Sequence, residues 1–140
     1  MRHARLFVPL AVALATLAGG CSDDPPAPLP SLLVGTWDAT SISAFGQDLI
    51  AQGMTLSVTF ASNGNFTIEV TGDLTGQCDP GPDCTLTGTY TSTPTTVTVD
   101  PNTDPTAADQ LTFNYFIQGV TLMLTGSIQG IPVSITATKV

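Results

Sequence analysis

The sequence contains one histidine, His3, and no arginine beyond Arg5. If the first residues form an export signal, as argued below, the exported chain has no imidazole at all. A Ser-His-Asp relay, a Cys-His pair and a histidine-ligated zinc are then all excluded. Beyond residue 20 the only basic side chain is Lys139, against eleven Asp and Glu, for a net charge of −10. A surface so poor in cations has nothing with which to neutralise phosphates, so nucleic acid is excluded as a partner and anionic head groups are poor ones. Glu69 alternates with Phe66, Ile68 and Val70 along one stretch, which sets it on the solvent side, and most aspartates fall in loop-like segments. With no nucleophile and base to pair, no catalytic residues are expected. The protein reads as a non-enzyme that needs no cofactor.

Long apolar runs are also missing. The longest, Leu6 to Leu17, is shorter than the roughly 20 residues that span a bilayer. It follows Arg2, His3 and Arg5 and leads through Ala18, Gly19 and Gly20 to Cys21, the layout of an export signal. The segment Leu17-Ala18-Gly19-Gly20-Cys21 resembles the lipobox of bacterial lipoproteins. That resemblance implies removal of residues 1–20 and lipidation of Cys21, which would attach the protein to a lipid membrane. Ser22 stands where an aspartate would favour the inner membrane, so the implied location is the outer membrane, with the domain in the periplasm or at the surface. Ser22 to Pro30 is rich in proline, which favours an extended polyproline II tether and cannot build a core. Residues 21–30 are therefore expected to be a linker.

What is abundant from Ser31 onward is threonine alternating with aliphatic residues. Of 23 threonines, only Thr16 precedes the tether. β-Branched residues suit strands and crowd helices. Leu56, Val58 and Phe60 share one face, as do Phe66, Ile68 and Val70, then Leu86, Gly88 and Tyr90, then Val97 and Val99. Leu111, Phe113, Tyr115 and Ile117 continue the pattern, followed by Leu122 with Leu124 and Val133 with Ile135 and Ala137. Turn chemistry separates these runs at Ser62 to Asn65, Thr93-Pro94, Gln118-Gly119 and Gly126 to Gly130. With an opening strand near Thr36 to Ser43, about eight strands joined by short hairpins are expected over residues 31–140. Closing such a meander hides its apolar face and removes its edges, so an all-β, antiparallel up-and-down barrel is expected.

Three constellations remain. Cys78 and Cys84 bracket a proline-glycine turn, and in an oxidising compartment such a pair is expected to form a disulfide rather than a redox or metal site. Asp100, Asn102, Asp104 and Asp109 space oxygen atoms as a calcium loop begins, but Pro105 replaces the needed glycine and Leu111 the distant glutamate. A solvated turn is the better account, and no metal is expected. The third is the apolar face, whose residues Phe60, Phe66, Tyr90, Phe113 and Tyr115 would fill the lumen or line a ligand. Gly88 and Ala137 are expected to leave space there.

Gly35-Thr36-Trp37 at the head of the first strand, taken with the eight-strand rhythm, resembles the lipocalin-like domains of the calycin group. The resemblance implies that Gly35 and Trp37 plug one end of the barrel and that the lumen binds a small hydrophobic molecule. Lipocalins usually stack an arginine on that tryptophan; here only Lys139 can take the place. Gly35-Thr36-Trp37 with Leu86-Thr87-Gly88-Thr89-Tyr90 is also similar to the avidin family. A biotin pocket of that family is walled by several tryptophans, and Trp37 stands alone. The alternative from another class is an envelope module that binds a protein, as protease inhibitors do, or a structural barrel with a filled lumen. The sequence names no protein partner.

Overall fold

The computed structural model describes residues 31–101 and 110–140. The export signal, Cys21, the tether, and Asn102, Asp104 and Asp109 of the calcium-like loop lie outside the described residues. The strands are β1 (Gly35–Ala44), β2 (Gln47–Asp48), β3 (Thr55–Phe60), β4 (Asn65–Thr71), β5 (Cys84–Ser92), β6 (Thr96–Pro101), β7 (Leu111–Gln118), β8 (Thr121–Ile128) and β9 (Ile131–Lys139). From β3 to β9 each strand pairs antiparallel with the next, β1 pairs with β3, and β9 returns to β1. Two-residue β2 pairs only with the end of β1. Eight strands therefore close the ring, the up-and-down, calycin-type architecture that Gly35-Thr36-Trp37 implied.

Alternation decides which side is dry. Val58, Phe60, Phe66, Val70, Val97, Val99, Phe113, Leu122, Leu124, Val133, Ile135 and Ala137 are all buried. Outside, threonines pair across strands, with Thr36 and Thr59 hydroxyls 2.9 Å apart and Thr98 and Thr112 likewise. Such cross-strand pairs add to the ladder on the wet face.

Strand β1 breaks the two-residue period. Its register on β9 shifts between Ala39 and Ser41, a β-bulge at Thr40. The extra residue changes parity, so buried Trp37 is followed inward by Ala39 and then by Ile42 and Ala44. Ile42 then faces Ile135, and Ala44 faces Val133. The sequence pattern did not assign these two residues to the core, because alternation alone cannot carry a face across a bulge.

Two inward aromatics sit directly opposite glycines: Phe66 opposite Gly88, and Phe113 opposite Gly126. Each ring occupies the volume its partner lacks. This corrects two expectations. Gly126 lies within β8, not in a turn, and the β8–β9 turn is Gln129-Gly130 alone. Gly88 leaves no free space, since an added Cβ would lie 2.1 Å from the Asp100 carbonyl oxygen and 2.7 Å from the Phe66 ring.

The disulfide between Cys78 and Cys84 is formed. It ties the 72–83 connection to the start of β5. Asp73 anchors the same loop, with its carboxylate accepting from the backbone and side chain of Thr75 and from the Cys78 amide at 2.8 Å.

Candidate functional site

Strand direction gives the barrel two unlike ends. At the first stand residues 31–34, the start of β1, the turns after β3, β5 and β7, and the end of β9. At the second stand the β1–β3 connection, the disulfide loop and the β8–β9 turn.

The first end is shut. Trp37 is fully buried, and its indole Nε1 donates to the Leu33 carbonyl at 2.7 Å. Leu33, also fully buried, is thereby held against it. Lys139 crosses the ring with Nζ 5.2 Å from its centroid and donates to the Val34 carbonyl at 2.9 Å. A cation over an indole face is attracted by the ring quadrupole, so Lys139 occupies the place of the missing arginine. Gly35 has a φ of 135°, a conformation that L side chains rarely adopt, so the backbone requires glycine there, and an added Cβ would also push aside the flexible end of Lys139, whose Cε would lie 2.6 Å away.

The second end leads into an apolar cavity of about 180 Å³. On β1 its wall takes Ile42 and Ala44, while Trp37 and Ala39 lie nearer the plug and outside the lining. Phe60, Phe66 and Phe113 line it, together with aliphatic residues from every strand of the ring. Tyr90 and Tyr115 do not. The Tyr90 hydroxyl donates to the Ala61 carbonyl at 2.8 Å and its ring packs edge-on against Phe60, with centroids 4.9 Å apart. Tyr115 donates to the Thr93 carbonyl at 2.7 Å. Both tyrosines reach for turns at the plugged end, because a hydroxyl needs a partner that the apolar lumen lacks. Partial burial raises the Tyr90 pKa above its ordinary value of 10.0. Ala137 is fully buried but outside the cavity wall, so neither small residue expected to open the lumen does so.

The lining includes residues that lie off the strands of the ring. Leu49 and Met54, both buried, turn inward from the β1–β3 connection. That connection is pinned by Asp48. Its Oδ1 accepts from the Ile42 and Ile50 amides at 3.2 and 3.0 Å, and its Oδ2 from the Ser41 hydroxyl at 3.0 Å. The Ile42 bond contributes most to holding the Asp48 pKa below the ordinary 3.8. Sequence alternation could not have found Leu49 and Met54, though two large apolar residues in a connecting segment are the signal that something there is covered.

Among the described residues, the only polar ones in the wall are Asp73, Thr75 and Gln77, all from the disulfide loop. Burial pushes the Asp73 carboxyl up, but its hydrogen bonds from Thr75, Cys78 and Gln77 outweigh that and leave its pKa lowered. It is therefore ionised at neutral pH. Beside them a smaller hollow of about 80 Å³ runs under Phe45, Gln129 and Ile131. Phe45 is 63% exposed and Leu74 is 51% exposed, so large apolar side chains rim this end in contact with water.

Among the described residues no three His, Cys, Asp or Glu side chains gather as a metal site. Asp100 accepts instead from the Gln110 side chain at 3.2 Å.

No family model and no curated protein matches the chain. Solved structures with a similar course include As-p18, an extracellular fatty acid binding protein, at 20% identity, covering 80% of this chain and 99% of that one, with a TM-score of 0.43. Fatty-acid-binding protein 1 of Echinococcus granulosus is 12% identical over 76% of this chain and 96% of its own, with a TM-score of 0.44. Human cRBP IV is 18% identical over 79% and 100%, also at 0.44. What those proteins hold depends on their own residues, and the cavity here is read from its own wall.

Proposed function

We propose that this protein is a non-enzymatic, lipid-tethered barrel that binds one small hydrophobic molecule in its lumen. The cavity carries this reading. Small barrels are just wide enough to be filled by side chains, and this one is not filled. An engineered protein cavity of about 150 Å³ lined by Leu, Ile and Phe stays dry and takes up benzene, so about 180 Å³ of similar wall accommodates a monocyclic or short-chain molecule. The filled lumen that would have favoured a purely structural or protein-binding barrel is absent from the described residues.

A blocking substitution tests it. Ala44 is buried at the mouth end and lines both hollows. Ala44→Phe places a ring in the cavity, and displacement of a fluorescent apolar probe is expected to weaken by at least about tenfold, the equivalent of ~1.4 kcal/mol. Unchanged probe affinity in a folded variant would remove the lumen as the binding site.

The tether reading rests on the residues around Cys21, together with the position of Ser31 at the plugged end. A chain arriving there from a lipidated cysteine would join the barrel at the end opposite its mouth. We assign the anchor to the bacterial outer membrane. Cys21→Ser is expected to move the protein from the membrane to the soluble fraction, since single-chain or unacylated proteins hold bilayers weakly. Retention of the variant on washed membranes would rule out acyl anchoring.

A further inference from the structure

Resting on that cavity reading, we infer that the mouth selects against anionic head groups, so that the ligand is a small amphiphile with an amine or other cationic head and not a free fatty acid. A carboxylate carried head-first into the lumen would meet no donor among the described residues, because every one of them in the wall beyond the disulfide loop is apolar. Burying an ion without a partner is prohibitive. Carried tail-first, its head would rest at Asp73, Thr75 and Gln77, beside a carboxylate that is already ionised.

Among the described residues nothing nearby offsets that charge. Asp48 lies in the β1–β3 connection and Asp79 and Asp83 in the disulfide loop, so the connections at the mouth end carry further carboxylates. Lys139, the only cation among the described residues, is at the far end of nine-residue β9 and is committed to Trp37 and the Val34 carbonyl. Along a strand this is roughly 25 Å, and exposed charges are largely screened beyond about 8 Å at physiological salt. An alkylammonium head at the same place gains from Asp73 and from the acidic rim.

The test is a matched eight-carbon series, n-octylamine, n-octanol and n-octanoate, titrated at pH 7.5 against the full exported protein in a probe-displacement assay. Octylamine is expected to bind at least about tenfold more tightly than octanoate, with the gap narrowing in high salt as opposed charges are screened. Gln77→Lys puts a cation on an exposed loop position at the mouth, and is expected to strengthen octanoate by about threefold or more while weakening octylamine. Octanoate binding as tightly as octylamine in the unaltered protein would overturn the inference and leave the cavity reading standing. Failure of all three to bind or to displace the probe would overturn both.

Discussion

Trp37→Ala is expected to lower the unfolding free energy by about 3–5 kcal/mol, the range for truncating a buried aromatic. Trp37 has no exposed surface, and three things depend on it at once. Its indole fills the plugged end, its N–H satisfies the buried Leu33 carbonyl, and its face receives Lys139. Truncation therefore leaves a void, an unpaired carbonyl and a lysine without its platform. Small domains hold about 5–15 kcal/mol in all, so the variant should unfold at markedly lower denaturant. Trp37→Phe separates the contributions. It retains most of the apolar volume and forfeits the bond to Leu33, for which about 1–3 kcal/mol is expected. Urea titrations followed by far-ultraviolet circular dichroism measure both, and a Trp37→Ala loss below about 1 kcal/mol would contradict a plug that carries the closed end.

Gly88→Ala is expected to cost at least about 3 kcal/mol, more than an ordinary overpacked methyl, because the clash is with backbone. The added Cβ would stand 2.1 Å from the Asp100 carbonyl oxygen and 2.9 Å from its carbon. A flexible side chain could swing away, but a carbonyl held in the β5–β6 ladder cannot do so without opening that pairing, in which Thr89 faces Asp100. Phe66 on the other side blocks escape into the lumen. Gly81→Ala serves as the control, since its added Cβ meets nothing nearer than 3.9 Å. Melting temperatures of the two variants should diverge sharply. Equal melting temperatures would mean that β5 and β6 do not approach so closely at Gly88.

Much of the barrel was legible beforehand, and the reason is local. Threonine against aliphatic residues repeats with a period of two, and that period assigned Val58, Phe66, Val99, Phe113 and Leu124 to the inside without any knowledge of neighbours. The Asn63-Gly64 turn was readable for the same reason. Gly64 takes a φ of 86°, and Asn63 Oδ1 accepts from the Asn65 amide at 3.1 Å. Gly35 and Trp37 were singled out only through the resemblance of Gly35-Thr36-Trp37 to lipocalin-like domains, since neither the backbone conformation of the one nor the burial of the other is written in the local pattern.

The candidate site was less legible. Tyr90 and Tyr115 follow the same alternation as the phenylalanines, yet their hydroxyls are drawn to the Ala61 and Thr93 carbonyls at the plugged end. Asp73 gave no signal in the sequence, because its place at the mouth depends on a loop folded back by a disulfide and by its own hydrogen bonds.

By itself, then, the sequence determined strand content, the dry face, the disulfide pairing and the shortage of cations, all of which follow from residue type and spacing along the chain, whereas the plug at Gly35 and Trp37 was expected only from the family resemblance. Closure into a barrel was expected from the need to hide the apolar face and the edges, but tertiary structure alone decided that a bulge at Thr40 turns Ile42 and Ala44 inward and that Leu49 and Met54 line the lumen from the β1–β3 connection. It also decided that Gly88 is pressed shut while a cavity remains under the acidic disulfide loop. Those outcomes depend on register, curvature and the meeting of segments distant in sequence, and no periodicity within one strand encodes them.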